Sequence, residues 1–212
     1  MLLALLATLS RSGMMSMVIA AAAAAALAPG SRRRRALLLV GGLAVLLVGA
    51  ATLDSDGLAA RVDDTLRPGG PITRVAIWAE TLRLGEAFPL AGTGAGTFAD
   101  AMLQYQRRAT EVLFNHAHNE PLQLLAEGGL LLVVPLAVLM AIGAATIRRR
   151  LAADPHPGDV IRIGAVAGLC AVAAQSIWET GLRTPSNLLL AALLAAIALR
   201  PARPAAAPDD RQ

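Results

Sequence analysis

His116 and His118 stand two residues apart in the run His116-Ala117-His118-Asn119-Glu120, where a polar stretch of the chain gives way to a long apolar one. Histidine exchanges its proton near neutral pH, so an imidazole pair at such a boundary suits proton transfer on a substrate carried by lipid. Metal chelation is the other chemistry open to an i, i+2 pair on extended backbone. It would have to recruit Glu111, Glu120 or Glu127, because no Cys is near and the third histidine, His156, is expected on the opposite side of a membrane. Proton transfer is therefore preferred. It calls for a cation to stabilise a leaving group, and Arg11, Arg74 and Arg183 are available. Guanidinium binds phosphate oxygens through two parallel bonds and keeps its charge at any relevant pH. Arg11 interrupts an apolar sequence, where a cation is costly unless it binds something or snorkels to headgroups. Arg74 could instead pair with Glu80 or a nearby Asp, and Arg183, in a short turn, reads as a topological charge.

The elements that must hold these groups are membrane helices. Of the 212 residues 56% are hydrophobic and 16% charged, and the mean hydropathy is +0.58, which a soluble domain rarely reaches. Several apolar stretches approach the roughly 20 residues that span a bilayer as helix. The expected fold class is thus an all-α membrane protein, a polytopic transmembrane helix bundle with one large external helical loop. Its apolar mass is Ala and Leu, small enough for close helix packing in lipid. The positive charge sits in short Arg blocks beside apolar segments, where it orients the chain; nucleic acid is not an expected partner. The one cysteine, Cys170, lies inside an apolar stretch and offers neither a disulfide framework nor a thiolate metal site.

Five crossings are expected, the first of them partial: residues 14–31, 36–53, 122–147, 158–178 and 187–199. A cleavable leader is disfavoured because no positive charge precedes the first apolar run and four arginines, residues 32–35, follow it. Those four, the block at residues 148–150, and Arg200 with Arg203 all fall on one side, the cytoplasmic one. Arg11, Arg74, Arg183, His116 and His118 then share the other. The expected domains are membrane helices at 1–53, an external loop domain at 54–121, further membrane helices at 122–199 and a disordered cytoplasmic tail at 200–212. Arg162, near the start of the fourth crossing, is expected to lie at the interface or to snorkel to it.

Within the loop Pro71 is expected to begin a helix that carries Arg74 and Trp78 on one face and ends at Gly85 and Pro89. Ile77, Leu82 and Leu84 make it an amphipathic element resting on the membrane surface. Gly92-Thr93-Gly94-Ala95-Gly96 resembles part of a nucleotide-binding glycine loop but has no βαβ context, so a tight turn with positive φ is favoured. Phe98, Met102, Tyr105 and Ala109 mark a second amphipathic helix. Asn119 can cap the next one, with Pro121 in its first turn and Gln123 and Glu127 on one face.

These residues resemble the O-antigen ligase and polymerase superfamily. The resemblance is carried by Ser10-Arg11-Ser12-Gly13, Arg74-Val75-Ala76-Ile77-Trp78, the segment from Pro89 through Gly92-Thr93-Gly94-Ala95-Gly96 to Phe98, and the run from His116 through Glu127-Gly128-Gly129. It extends to about Leu199. It implies a bacterial inner-membrane glycosyltransferase, with its active face periplasmic, that moves a glycan from undecaprenyl diphosphate to lipid A-core, a polysaccharide or a protein hydroxyl. It further implies that Arg11 and Arg74 contact the diphosphate and that a histidine of the pair activates the acceptor hydroxyl. His118 is preferred over His116 because it adjoins the helix cap, and Trp78, Asn119 and Glu127 are supporting residues. The implied reaction inverts the sugar and uses no metal or other cofactor.

Two departures qualify the resemblance. Family members are usually longer, with further membrane helices ahead of the Ser-Arg element, so the chain is expected to be a fragment, a misassigned start or a truncated form. Relatives also usually carry an aromatic residue where Pro121 stands. A non-catalytic membrane protein that binds lipid-linked glycan is the alternative from another class. A transporter segment using Arg11 and Glu127 is weaker, since the charged residues lie near predicted helix ends.

Overall fold

The computed structural model describes residues 11–28, 32–51, 74–107, 113–153 and 160–201. They hold seven α-helices: α1 (Arg11–Leu27), α2 (Arg32–Ala51), α3 (Arg74–Ala87), α4 (Phe98–Tyr105), α5 (Glu120–Ala153), α6 (Val160–Gln175) and α7 (Pro185–Ala198). A 3-10 turn, Gly181–Arg183, precedes α7. The expected helix start at Pro71, Ala109, His156, the segment from Asp54 and the tail beyond Pro201 lie outside the described residues.

Small side chains let the first group of helices approach closely. In α2 a Cβ on Gly42 would stand 2.9 Å from the Ala21 Cβ of α1, and in α6 one on Gly168 would stand 3.0 Å from Leu194 of α7. So α1 packs between α2 and α6, and α6 carries α7. The Arg35 Nε donates to the Ala28 carbonyl at 3.2 Å, a cation closing the C-terminal end of α1.

The second group is built from α3, α4 and the segment that leads into α5. Leu84 of α3, Phe98 and Met102 of α4, Phe114 and Ala117 of the following segment and Ala126 of α5 form one buried cluster, with Ile77, Ala101 and Tyr105 against it. Phe88 meets Tyr105 edge-on, ring centroids 5.6 Å apart. The expected α4 is thus present, its buried residues at the anticipated spacing. α3 ends at Ala87, between Gly85 and Pro89 as expected, with Gly85 packed against Leu125; what differs is the face it buries. Its buried face is Glu80, Thr81, Leu84 and Gly85, while Leu82 is exposed, so the helix packs against α4 and α5 by a partly polar face. Glu80 is satisfied there by Arg83 Nη1 at 2.8 Å.

α5 joins the two groups. Its 34 residues are interrupted at Gly129 (φ 60°, ψ −163°), so a crossing expected to start at Leu122 instead begins as continuous helix after that glycine. From there to Ala153 the helix extends about 36 Å, enough for a hydrocarbon core of about 30 Å. α5 is the one helix among the described residues long and apolar enough to cross a membrane; α1, α6 and α7 are apolar but shorter.

α5 and α6 are tied at both ends. The Glu120 N–H donates to the Ser176 carbonyl at 2.8 Å, and the Arg162 guanidinium donates to the carbonyls of Arg150 (3.4 Å), Arg200 (3.0 Å) and Pro201 (3.0 Å). Arg162 is fully buried and closes helix ends, at the same end of the helices as Arg150 and Arg200. Between those ties a straight α5 would need about 45 Å against about 21 Å along α6, so the break at Gly129 is what lets both be made. The apolar run of α5 stands clear of the other helices, with Leu131 69% and Leu139 65% exposed.

Candidate functional site

The break in α5 is filled by the glycine turn. Thr93 and Gly94 donate their N–H groups to the Ala126 and Glu127 carbonyls (2.9 and 2.8 Å), while Leu130 and Leu131 donate to the Pro89 and Leu90 carbonyls (2.9 and 3.0 Å). The hydrogen bonds that a continuous helix would make are exchanged for bonds to the loop. This needs backbone against backbone: a Cβ on Gly92 (φ 64°) would lie 2.3 Å from the Glu127 carbonyl carbon, and one on Gly129 would lie 2.3 Å from the Leu90 oxygen. The expected tight turn is present, and it serves to clasp the helix that follows the histidines.

Ahead of the break, the first turns of α5 organise the histidines. Asn119 Oδ1 accepts from the Leu122 N–H at 2.9 Å, the cap expected of it, and Pro121 sits in the first turn where its missing N–H costs nothing. Gln123, buried, accepts from the Ala117 N–H at 3.0 Å, donates to Glu127 Oε1 at 3.2 Å and lies 3.5 Å from His116 Nδ1. His118 has φ 50°, left-handed backbone that side chains with a Cβ rarely adopt. The strain turns the chain between the two imidazoles, and they meet different partners. His118 Nδ1 faces Glu179 Oε2 at 3.7 Å, so the pair does not converge on one point.

Glu179 and Arg183 come from the connection between α6 and α7. The other Glu179 oxygen, Oε1, accepts from Arg74 Nη2, so one carboxylate stands between Arg74 and His118. Arg74 thus opens α3 beside His118 and pairs with Glu179, whereas Glu80 pairs with Arg83. Arg183 Nη2 donates to Glu127 Oε2 at 2.9 Å and its Nε lies 3.5 Å from Glu120 Oε2. Burial pushes the Glu120 carboxyl above its ordinary range, an effect Arg183 only partly offsets. Burial acts on Glu127 too, but hydrogen bonds from Arg183, Gln123 and the Gly96 N–H outweigh it and hold that carboxyl below its usual range. Both lie before Gly129, outside the apolar run.

Arg74, His116, His118, Asn119 and Glu127 are thereby brought to one end of the molecule, opposite the Arg150, Arg162 and Arg200 end. Trp78, one turn along α3 from Arg74, has its indole Nε1 buried with no hydrogen-bond partner among the described residues. Arg11 opens α1, and its side chain lies outside what the structure describes. Sequence reasoning missed Glu179 altogether and took Arg183 for a topological charge. A signal for Arg183 was present: the penalty for a cation among apolar helices, applied to Arg11, applies equally there, with Glu120 and Glu127 as the available anions. Chemically the cluster offers an imidazole proton acceptor, an adjacent guanidinium and a buried carboxylate pair held by a second guanidinium. A family model described as O-antigen ligase matches residues 1–137. No curated protein matches the chain.

Proposed function

Since the chain belongs to the O-antigen ligase family, we propose that it transfers a glycan from undecaprenyl diphosphate to an acceptor hydroxyl, as a ligase or polysaccharide polymerase, at the periplasmic face of the bacterial inner membrane. The observation that carries this reading is the juxtaposition of Arg74 and His118 across the single carboxylate of Glu179. A cation suited to a diphosphate and a proton acceptor suited to a hydroxyl stand one residue apart, although they are 44 positions apart in sequence.

In the proposed reaction Arg74, with Arg11, binds the diphosphate and stabilises the charge that develops on it as the sugar leaves. His118 removes the proton of the acceptor hydroxyl, whose oxygen attacks the anomeric carbon from the face opposite the diphosphate and inverts it. His116 is held by Gln123 on the far side of Ala117 and supports the backbone turn. Asn119 fixes the helix start beside the base, Glu127 anchors the turn that clasps α5, and Trp78 lines the approach to Arg74. No metal or cofactor enters the proposed step. The acceptor is lipid A-core, a growing polysaccharide or a protein, and the bilayer surrounds α5.

The two roles separate kinetically. Arg74→Ala is expected to raise the KM for the lipid-linked donor, whereas His118→Ala is expected to lower kcat with donor binding retained. Donor binding without turnover in the unchanged chain would favour a non-catalytic lipid-glycan binder instead.

A further inference from the structure

We infer that Glu179 is a positioning residue that couples occupation of Arg74 by the donor diphosphate to the orientation of the His118 imidazole. This deepens the transfer reaction proposed above and rests on it. Glu179 lies in the connection between α6 and α7, beyond the residues matched by the family model. That connection is fixed at both ends. Ser176 accepts from the Glu120 N–H at 2.8 Å, and Asn187 Nδ2 donates to the Gly181 carbonyl at 3.0 Å, so the carboxylate is held in place by backbone tied to the site.

Its two oxygens are engaged unequally. Oε1 is bonded to Arg74 Nη2, whereas Oε2 stops 3.7 Å from His118 Nδ1, beyond hydrogen-bond reach. Nδ1 is buried and has no hydrogen-bond partner, a condition that proteins rarely leave standing because it costs the full desolvation of the group. The carboxylate is thus retained by the cation that a diphosphate would occupy, just short of the imidazole that needs it. A diphosphate binding the Arg74 fork removes that retention and repels the carboxylate. A movement of about 1 Å toward Nδ1 gives a charge-assisted bond of ordinary length.

The consequence for the reaction follows from the way a carboxylate holds a catalytic imidazole. With the Nδ1 proton donated to Glu179, the Nε2 lone pair is free to take the acceptor proton. The acceptor oxygen then bonds to the anomeric carbon as the bond from that carbon to the diphosphate oxygen breaks, and the electron pair leaves on the diphosphate. The proton rests on Nε2, and the carboxylate at Nδ1 balances the imidazolium until the proton passes to water. The base is therefore aligned when the donor is present and slack when it is absent.

The test uses the full chain in proteoliposomes, with undecaprenyl-diphosphate-linked glycan for turnover and undecaprenyl diphosphate alone for binding. Binding can be followed by tryptophan fluorescence, because the two tryptophans, Trp78 and Trp178, lie next to Arg74's face of α3 and next to Glu179. Glu179→Gln is expected to lower kcat by at least about tenfold and at most by the roughly 10⁴-fold that follows when the carboxylate of a triad is replaced by an amide. Donor KM and the Kd for undecaprenyl diphosphate should stay unchanged or fall, since the competitor for Arg74 has lost its charge. Glu179→Asp, with the charge retained, is expected to recover part of the kcat. If Glu179→Gln fails to fold, Glu179→Asp decides by the same split: lowered kcat with KM held supports the coupling, and unchanged kcat overturns it. A Glu179→Gln enzyme with kcat within twofold of the parent, or one whose loss lies in KM, would overturn it as well. The broader reading fails separately. If Arg74→Ala and His118→Ala both turn over like the parent, the transfer site itself is wrong; if both are impaired and Glu179→Gln is not, only the role of Glu179 falls.

Discussion

At Arg183 one guanidinium faces two carboxyls that burial and bonding shift in opposite directions. Glu120 is raised, so the folded chain holds its proton more tightly than the unfolded chain. Its contribution to stability is present at low pH and is lost as pH rises from the ordinary carboxylate value through the raised one. Glu127 is lowered, and its contribution is present above the ordinary value and lost as pH falls through the lowered one. Near pH 7 the two residues therefore differ in sign. Glu127→Gln is expected to lower the thermal midpoint, and Glu120→Gln to leave it unchanged or raise it, as measured by unfolding in detergent. A Glu127→Gln chain as stable as its parent would contradict the assignment. Legibility at this scale followed sequence distance. The Asn119 cap and the pairing of Gln123 with Glu127 could be read because their partners are three and four residues away. Glu179 could not, and for Arg183 only the need for an anion was legible, because their partners are 56 to 105 residues distant and only the packing of helices brings them together.

The glycine turn and the broken helix are one device, and substitutions in it should sort by what a methyl group would meet. At Gly92 and Gly129 it would collide with backbone that cannot give way, on top of the unfavourable positive φ. Gly96 (φ 77°) has nothing within 4 Å of such a methyl, so only the backbone strain of about 1–2 kcal/mol applies. Gly92→Ala and Gly129→Ala are accordingly expected to lose more stability than Gly96→Ala, by at least about 2 kcal/mol. Thermal unfolding of the three variants checks this order, and equal losses would show that the turn does not clasp α5. The turn itself was readable from its glycines, since three in five residues favour positive φ. What it docks against was not, because Gly128-Gly129 signals a possible break but not which distant backbone fills it. The same blindness explains α3, whose buried Glu80 gives a periodicity that hydrophobic spacing alone misplaces.

Over the whole molecule the charged groups are sided. The carboxylate, imidazole and guanidinium cluster and the Arg150, Arg162 and Arg200 contacts occupy opposite ends of α5 and α6, in the sense that the arginine blocks led one to expect. Composition was enough to anticipate that the described residues are helical, and the arginine blocks supply the orientation proposed for them. The splaying of α5 away from its neighbours was not legible, because it depends on ties at both ends of α6. In intact cells lacking Cys170, a cysteine at Ala95 is expected to react with a thiol reagent that does not cross the inner membrane, and one at Arg149 to be protected. The reverse pattern would invert the proposed topology. The central claim is that His118 drives glycan transfer from a lipid diphosphate. Its most direct measurement is the release of undecaprenyl diphosphate coupled to glycan bond formation by the chain and its His118→Ala variant in proteoliposomes. The account predicts stoichiometric release by the parent and a loss of about a hundred- to ten-thousandfold in the variant, whereas equal release by both would contradict it.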